Sequence, residues 1–288
     1  MQTVQEGSYV GRYYGEKQIE ITPELVAHYA ASVLDDNPWY FGDSPLGAAI
    51  APALLLHSEV YRSIDWYLSI FGNLHARQEW ELYHPIMVGE TVTARRQITE
   101  RYAKRDREYV VMETAIYGGD GRLLNRGRTH QSFLPKTGDM SRTVVDKDRE
   151  KRSDRRFEVA DVTPIEEIAG AAKAVSIEMC KLFSPGKSYH NDVDEARKLG
   201  FPDIVVQGMM SLCFISEMMT DRFGLGWFRG GKMNVNLVNV LWQADTVTSH
   251  GAVTAESPEG DGTRAEMRVW VEKADGTKVV VGSASALT

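Results

Sequence analysis

Two stretches decide the fold: METAIYGGDGRLLNRG (residues 112–127) and EMRVWVEKADGTKVVVG (residues 266–282). Each alternates apolar and polar side chains on both sides of an Asp-Gly pair, which signals two antiparallel strands joined by a two-residue hairpin. They are also copies of one another. Asp120-Gly121 recurs as Asp275-Gly276, Gly127 recurs as Gly282, and upstream Glu90-Thr91-Val92-Thr93 recurs as Asp245-Thr246-Val247-Thr248, all at one offset of 155 residues. A single offset shared by separate matches marks an internal duplication.

Working outward from the hairpins, each copy has the same order of elements. In the first, Thr22-Pro23-Glu24 is a helix start, with an N-cap threonine and proline in the first turn, leading into LVAHYAASVL. The polar turn DDNPWY follows at residues 35–40, and then APALLLHSEVYRSIDWYLSIFG (residues 51–72), apolar nearly all round as a buried helix is. HARQEWELY and TVTARRQITERY precede the hairpin strands. The second copy has SIEMCKLF, a turn ending at His190, the helix GMMSLCFISEMMTDRFG, and strands near 232–241, 245–256, 263–273 and 277–287. One long helix wrapped by a bent antiparallel sheet, twice, predicts an α+β double hot-dog. Its two sheets are expected to pair edge to edge or to stack through their helices. Charges crowd out apolar residues over residues 146–156, so the expected organisation is a first repeat at 1–145, a charged linker at 146–156 and a second repeat at 157–288.

Composition narrows the class of function. The 288 residues are 43% apolar, enough for a large core, and 40 acidic against 33 basic residues give a formal charge of −7. That balance argues against nucleic-acid and anionic-membrane partners. The first residues lack a basic segment followed by an apolar one, and no run approaches the roughly 18 apolar residues a membrane span needs, so a cytoplasmic protein is expected. Cys180 and Cys213 sit in apolar settings without CxxC spacing and are expected to be buried thiols. No pair among His28, His57 and His84 has metal-ligand spacing, no GxSxG nucleophile elbow is present, and neither metal nor redox cofactor is expected.

Three motifs carry a resemblance: DDNPWY (residues 35–40), HNDVDEARKLGFPDIVVQG (residues 190–208) and the turn PIMVGET (residues 85–91) into a strand. Together they resemble the MaoC-like family of (R)-specific enoyl-CoA hydratases and dehydratases, over nearly the whole chain. The resemblance implies a hot-dog fold, a CoA thioester substrate and a pattern D-x-N-P-x-H, in which aspartate and histidine flank a water or substrate hydroxyl and asparagine orients them. Adding water across a 2-enoyl thioester needs a base for the water proton, an acid for the α-carbon, and donors for the charge growing on the thioester oxygen. The backbone N–H of Gly208, at the start of the central helix, suits that oxygen.

Neither copy keeps the whole pattern. The first has Asp35, Asn37 and Pro38 but Tyr40 in the histidine slot; the second has His190 but Pro185 and Lys187 in the aspartate and asparagine slots. Three readings follow: His190 working with Asp192, Asp194 or water alone; Asp35 and Asn37 working with Tyr40, a poor base because its reference pKa is about 10; and Asp35 with His190 across the copies. The first is favoured, because His190 stands in a polar turn and its titration range suits acid–base work. Lys187, Tyr189, Gln207 and Met209 are then the expected substrate-side residues. The first copy is shorter between its turn and its helix, which points to a remodelled pocket wall. Bland roles stand beside these: Asp35 and Asn37 as an Asx turn, His190 as a turn former, and Arg95, Arg96, Arg101, Lys104, Arg105 and Arg107 as a solvated strand edge rather than a CoA phosphate clamp. The rival functions are a hot-dog thioesterase or other acyl-CoA lyase, and a non-catalytic acyl-CoA-binding or partner subunit. Exposed strand edges also predict a homodimer.

Overall fold

The computed structural model describes residues 7–42, 44–61, 73–104, 107–133 and 163–288, and the expected linker at 146–156 lies outside them. The first repeat contributes β1 (Tyr13–Glu20), α1 (Pro23–Val33), β2 (Leu74–Leu82), β3 (Thr91–Lys104), β4 (Arg107–Tyr117) and β5 (Leu123–Phe133). The second contributes β6 (Glu166–Ala169), β7 (Lys173–Ala174), α2 (Ile177–Phe183), α3 (Val193–Lys198), α4 (Gly208–Phe223), α5 (Leu225–Gly230), β8 (Lys232–Leu237), β9 (Thr246–Glu259), β10 (Gly262–Lys273) and β11 (Lys278–Leu287).

All these strands form one sheet, ordered β1-β3-β4-β5-β2-β8-β11-β10-β9-β6, with β7 paired to β9. The two halves of that order are the same path run in opposite directions. They meet where β2 pairs antiparallel with β8, so the repeats join edge to edge rather than by stacking alone. At the middle of this seam Glu79 pairs with Asn234, its own equivalent at the 155-residue offset, which puts a pseudo-twofold axis through that pair. The ladders keep the offset: Thr129 pairs with Gln78 and Met112 as Ala284 pairs with Met233 and Met267.

The hairpins at Asp120 and Asp275 turn in three residues rather than two, because Gly118 N–H bonds Arg122 carbonyl and Lys273 N–H bonds Thr277 carbonyl. The extra residue lets each aspartate accept a backbone N–H two positions on, Arg122 at 3.0 Å and Thr277 at 2.9 Å, and puts Gly121 and Gly276 at φ +82° and +87°. These are left-handed positions that glycine takes without steric cost.

Helix α4 packs against β9, β10 and β11 of the second repeat. It starts at Gly208, where a side chain would not fit: a Cβ there would meet Leu237 Cδ2 at 2.3 Å. It is buried almost all round, and Ser216 on it accepts a hydrogen bond from the indole of fully buried Trp227 at 3.0 Å. The first copy differs. Of the apolar run expected as a helix at 51–72, the described part is a set of turns followed by a 3-10 helix at His57–Tyr61, and residues 62–72 lie outside the described residues. Its apolar composition nevertheless marks burial correctly, since Leu54, Leu55 and Leu56 are all core side chains.

Candidate active site

The chain places the two motif turns at equivalent points. Val205 N–H bonds Tyr189 carbonyl at 3.2 Å, Ile50 N–H bonds Trp39 carbonyl at 3.0 Å, and Val205 and Ile50 bridge to Trp242 and Met87, which share the 155-residue offset. His190 and Tyr40, the residues after Tyr189 and Trp39, therefore occupy the same slot of the two copies. Aspartate 35 and Pro185 stand five positions before them.

The turn at residues 184–191 is held by Asn191, a residue whose role the motif does not reveal. Its Nδ2 donates to the carbonyls of Ser184 and Gly186, and its Oδ1 accepts from Ser188 N–H at 3.0 Å. Gly186 takes φ +86° inside this turn. On the frame so made, the His190 ring lies 3.9 Å from that of Tyr189, and Nδ1 is 2.7 Å from Val205 carbonyl. A carbonyl only accepts, so Nδ1 carries the proton and Nε2 is left with its lone pair. Burial disfavours the imidazolium and pulls the pKa down to about 4, so the ring is neutral near pH 7. Val205 lies on the segment running directly into α4, three residues before Gly208. The first N–H of that helix has no intrahelical acceptor, and Gln207, its N-cap, makes no side-chain cap and keeps a buried Oε1 without a partner.

Asp192 does not partner His190. Its Oδ1 accepts the N–H groups of Asp194 and Glu195, both at 3.0 Å, capping α3, and its Oδ2 faces Lys187 at 3.5 Å. These bonds hold its pKa below the usual range. Asp194 is exposed and pairs with Arg197 at 3.9 Å. Lys187 is exposed and shared between Asp192 and Glu195. Met209 is fully buried in the core. Tyr189 remains as the ring lying beside His190, and its other face meets Phe201 at 5.8 Å.

In the first copy the same slot is closed. Tyr40 is 3% exposed and donates its hydroxyl to Asp35 Oδ2 at 2.9 Å, while Asp35 Oδ1 accepts Asn37 N–H at 3.3 Å and Asn37 Oδ1 accepts Trp39 N–H at 3.0 Å. Asp35 and Asn37 thus build Asx turns, and Asn37 caps the 3-10 turn Pro38–Tyr40 that follows. Burial raises the pKa of Asp35 and raises that of Tyr40 well above its ordinary value. Asp35 bonds Tyr40 and not His190, so the cross-copy pairing is not formed. Beside this turn, sequence reading missed a buried ion pair. Lys173 Nζ donates to Val33 carbonyl at 2.8 Å, Leu34 carbonyl at 2.7 Å and Glu217 at 2.8 Å, tying the end of α1 to α4. Burial lifts Glu217 to about 7.

The basic hairpin is engaged in pairs. Arg95 bonds Glu16 at 2.8 Å, Arg101 bonds Glu108 at 3.4 Å, Arg107 bonds Ser132 at 3.0 Å, Arg96 is buried, and Arg105 lies outside the described residues. Cys180 and Cys213 are buried free thiols. Among the described residues no cluster of His, Cys, Asp and Glu is placed to hold a metal ion, and no helix is long and apolar enough to cross a membrane.

Residues 8–125 match a family model described as FAS1-like, dehydratase domain region. Among curated proteins none matches the sequence. Solved structures do. A MaoC-like dehydratase from Phytophthora capsici is 15% identical over 98% of this chain and 97% of its own, with a TM-score of 0.72. A Mycobacterium tuberculosis protein described as a double hotdog is 15% identical over 99% and 98%, with a TM-score of 0.66. A putative oleoyl thioesterase from Lactobacillus plantarum is 14% identical over 98% and 97%, with a TM-score of 0.52.

Proposed function

We propose that this chain, which has the MaoC-like double hot-dog fold, hydrates a 2-enoyl-CoA thioester or runs the reverse dehydration of a 3-hydroxyacyl-CoA, with His190 moving the proton. The carrying observation is the 2.7 Å bond from His190 Nδ1 to Val205 carbonyl, which presents a neutral Nε2 beside the segment that starts α4. Water held by Nε2 attacks the β-carbon as its proton passes to the ring. The alkene electron pair moves onto the thioester oxygen as an enolate, which the Gly208 N–H and the helix dipole stabilise. The imidazolium, steadied by Val205 carbonyl, returns its proton to the α-carbon, so one group serves as base and then as acid. This relay dispenses with the carboxylate that Pro185 replaces.

A thioesterase is the second reading, favoured by the absence of any carboxylate bonded to His190 and by the likeness to a putative thioesterase. There the same base directs water to the thioester carbonyl carbon. Incubation with a panel of 2-enoyl-CoAs separates the two. Hydration removes the absorbance of the conjugated thioester and adds the mass of one water while the thioester survives. Release of free thiol would establish hydrolysis instead, and no change in either would leave a binding subunit.

A further inference from the structure

We propose that the inner face of the first repeat holds an oxygen-bearing, hydrogen-bonding acyl group in place of a plain aliphatic chain; this rests on the acyl-CoA reading above. The duplication supplies the comparison. At the 155-residue offset, the second repeat's inner face carries Met233, Val269, Val280, Ala284 and Ala286, where the first repeat carries Gln78, Thr114, Asn125, Thr129 and Gln131. All five first-repeat residues are more than nine-tenths buried. Polar side chains thus stand where the other repeat has apolar ones on one face of the sheet, in a repeat otherwise built to the same register.

Much of that polarity is unpaired. Thr114 Oγ1, Asn125 Oδ1, both polar atoms of the Gln131 amide, and the indole Nε1 of Trp80 on the same face have no hydrogen-bond partner among the described residues. The second repeat's inner face carries no such atom among the described residues. Each unmade bond costs about 1–3 kcal/mol, and buried polar groups in folded proteins are nearly always partnered. Several on one surface offer donors and acceptors that the described residues leave unmet.

The polar surface also connects to the reaction centre. A Cβ on Gly208 would lie 3.5 Å from His75 Nδ1, His75 Nε2 lies 3.1 Å from Gln78 Oε1, and Thr129 Oγ1 donates to that oxygen at 2.7 Å. Gln131 follows Thr129 on the same face of β5. The path therefore runs from the start of α4 into the first repeat. Uncharged amides and hydroxyls, offering donors and acceptors together, suit a hydroxyl or carbonyl on the acyl group.

Titration calorimetry with two saturated, non-hydratable probes, butanoyl-CoA and 4-hydroxybutanoyl-CoA, tests this. The hydroxylated probe should bind about tenfold more tightly, the worth of one net hydrogen bond. Gln131→Met should bring the ratio near one without lowering the melting temperature, because Gln131 gives up no internal bond. The pair Thr129→Ala and Gln131→Ala, copying the second repeat, should act in the same direction. Equal or tighter binding of butanoyl-CoA to the unaltered protein, an unchanged ratio in Gln131→Met, or a melting temperature lowered by several degrees in that variant would overturn the inference while the acyl-CoA reading stood. If neither probe binds, both fall.

Discussion

Replacing His190 by alanine removes a ring with one hydrogen bond, the 2.7 Å contact to Val205 carbonyl, and one ring contact, at 3.9 Å to Tyr189. The lost bond is worth about 0.5–1.5 kcal/mol net, and for a chain of this size about 1 kcal/mol moves the melting temperature by roughly 2–4 °C. The expected loss of stability is therefore a few degrees. The expected loss of turnover is far larger, about 10²–10⁴-fold, because the proton relay is made in the transition state. Asp35→Asn should behave oppositely. It sets an amide against the Tyr40 hydroxyl that now donates at 2.9 Å, costs about 1–3 kcal/mol, and leaves turnover per folded molecule nearly intact. The pH profile adds an independent reading. His190 must be neutral to act, and burial holds its pKa near about 4, so the acid limb of kcat/KM should fall near that value rather than near the ordinary 6.5. Thermal unfolding and initial rates on both variants, with a pH–rate curve on the unaltered protein, decide it. A live His190→Ala beside a dead Asp35→Asn would refute the assignment and move the reaction to the first copy, with Tyr40 as the proton donor.

Glu217→Gln should change how stability depends on pH. The buried carboxyl has its pKa raised from 4.5 to about 7, so between those values the folded chain holds a proton that the unfolded chain has lost. Its contribution to stability thus declines as pH rises through that window, by about 1–3 kcal/mol, and the difference between variant and parent denaturation curves should show that decline; a flat difference would exclude it. Calorimetry with a non-reactive acyl-CoA should give one site per chain, because Tyr40 fills the first copy's histidine slot, and a stoichiometry of two would contradict the division between copies. Light scattering should find a homodimer, since β1 and β6 end the sheet among the described residues; a species near 32.3 kDa at micromolar concentration would count against it.

The long strands and α4 were legible from their apolar patterns: β3 and β10 alternate, and α4 is buried along most of its length. Strands β1 and β6 escaped because they sit at the two ends of the sheet with largely exposed side chains, Glu16 and Glu20 on one and Glu167 on the other, so no apolar alternation announces them. Of the site, His190, Gly208 and the turn were readable from the motif. The role of Asp192 was not, because a carboxylate two residues from a histidine is equally well placed to cap the next helix. Lys173 and Glu217 belong to no pattern; they meet only because the fold brings β7 and α4 to the end of α1.

The seam at the pseudo-twofold axis is short, running from Arg77–Asn236 to Glu81–Lys232, with one side-chain bond from Arg77 to Asn234 at 2.9 Å. Contact between the halves does not stop there: α1 packs on α2, and Lys173 reaches the carbonyls of Val33 and Leu34. Joining the halves in one chain frees them from self-matching. In a dimer of identical chains any substitution appears on both sides of the axis, so Thr129 could not stand on one half while its counterpart stayed Ala284. Covalent joining lets one half carry amides and hydroxyls on its inner face while the other keeps aliphatic side chains there.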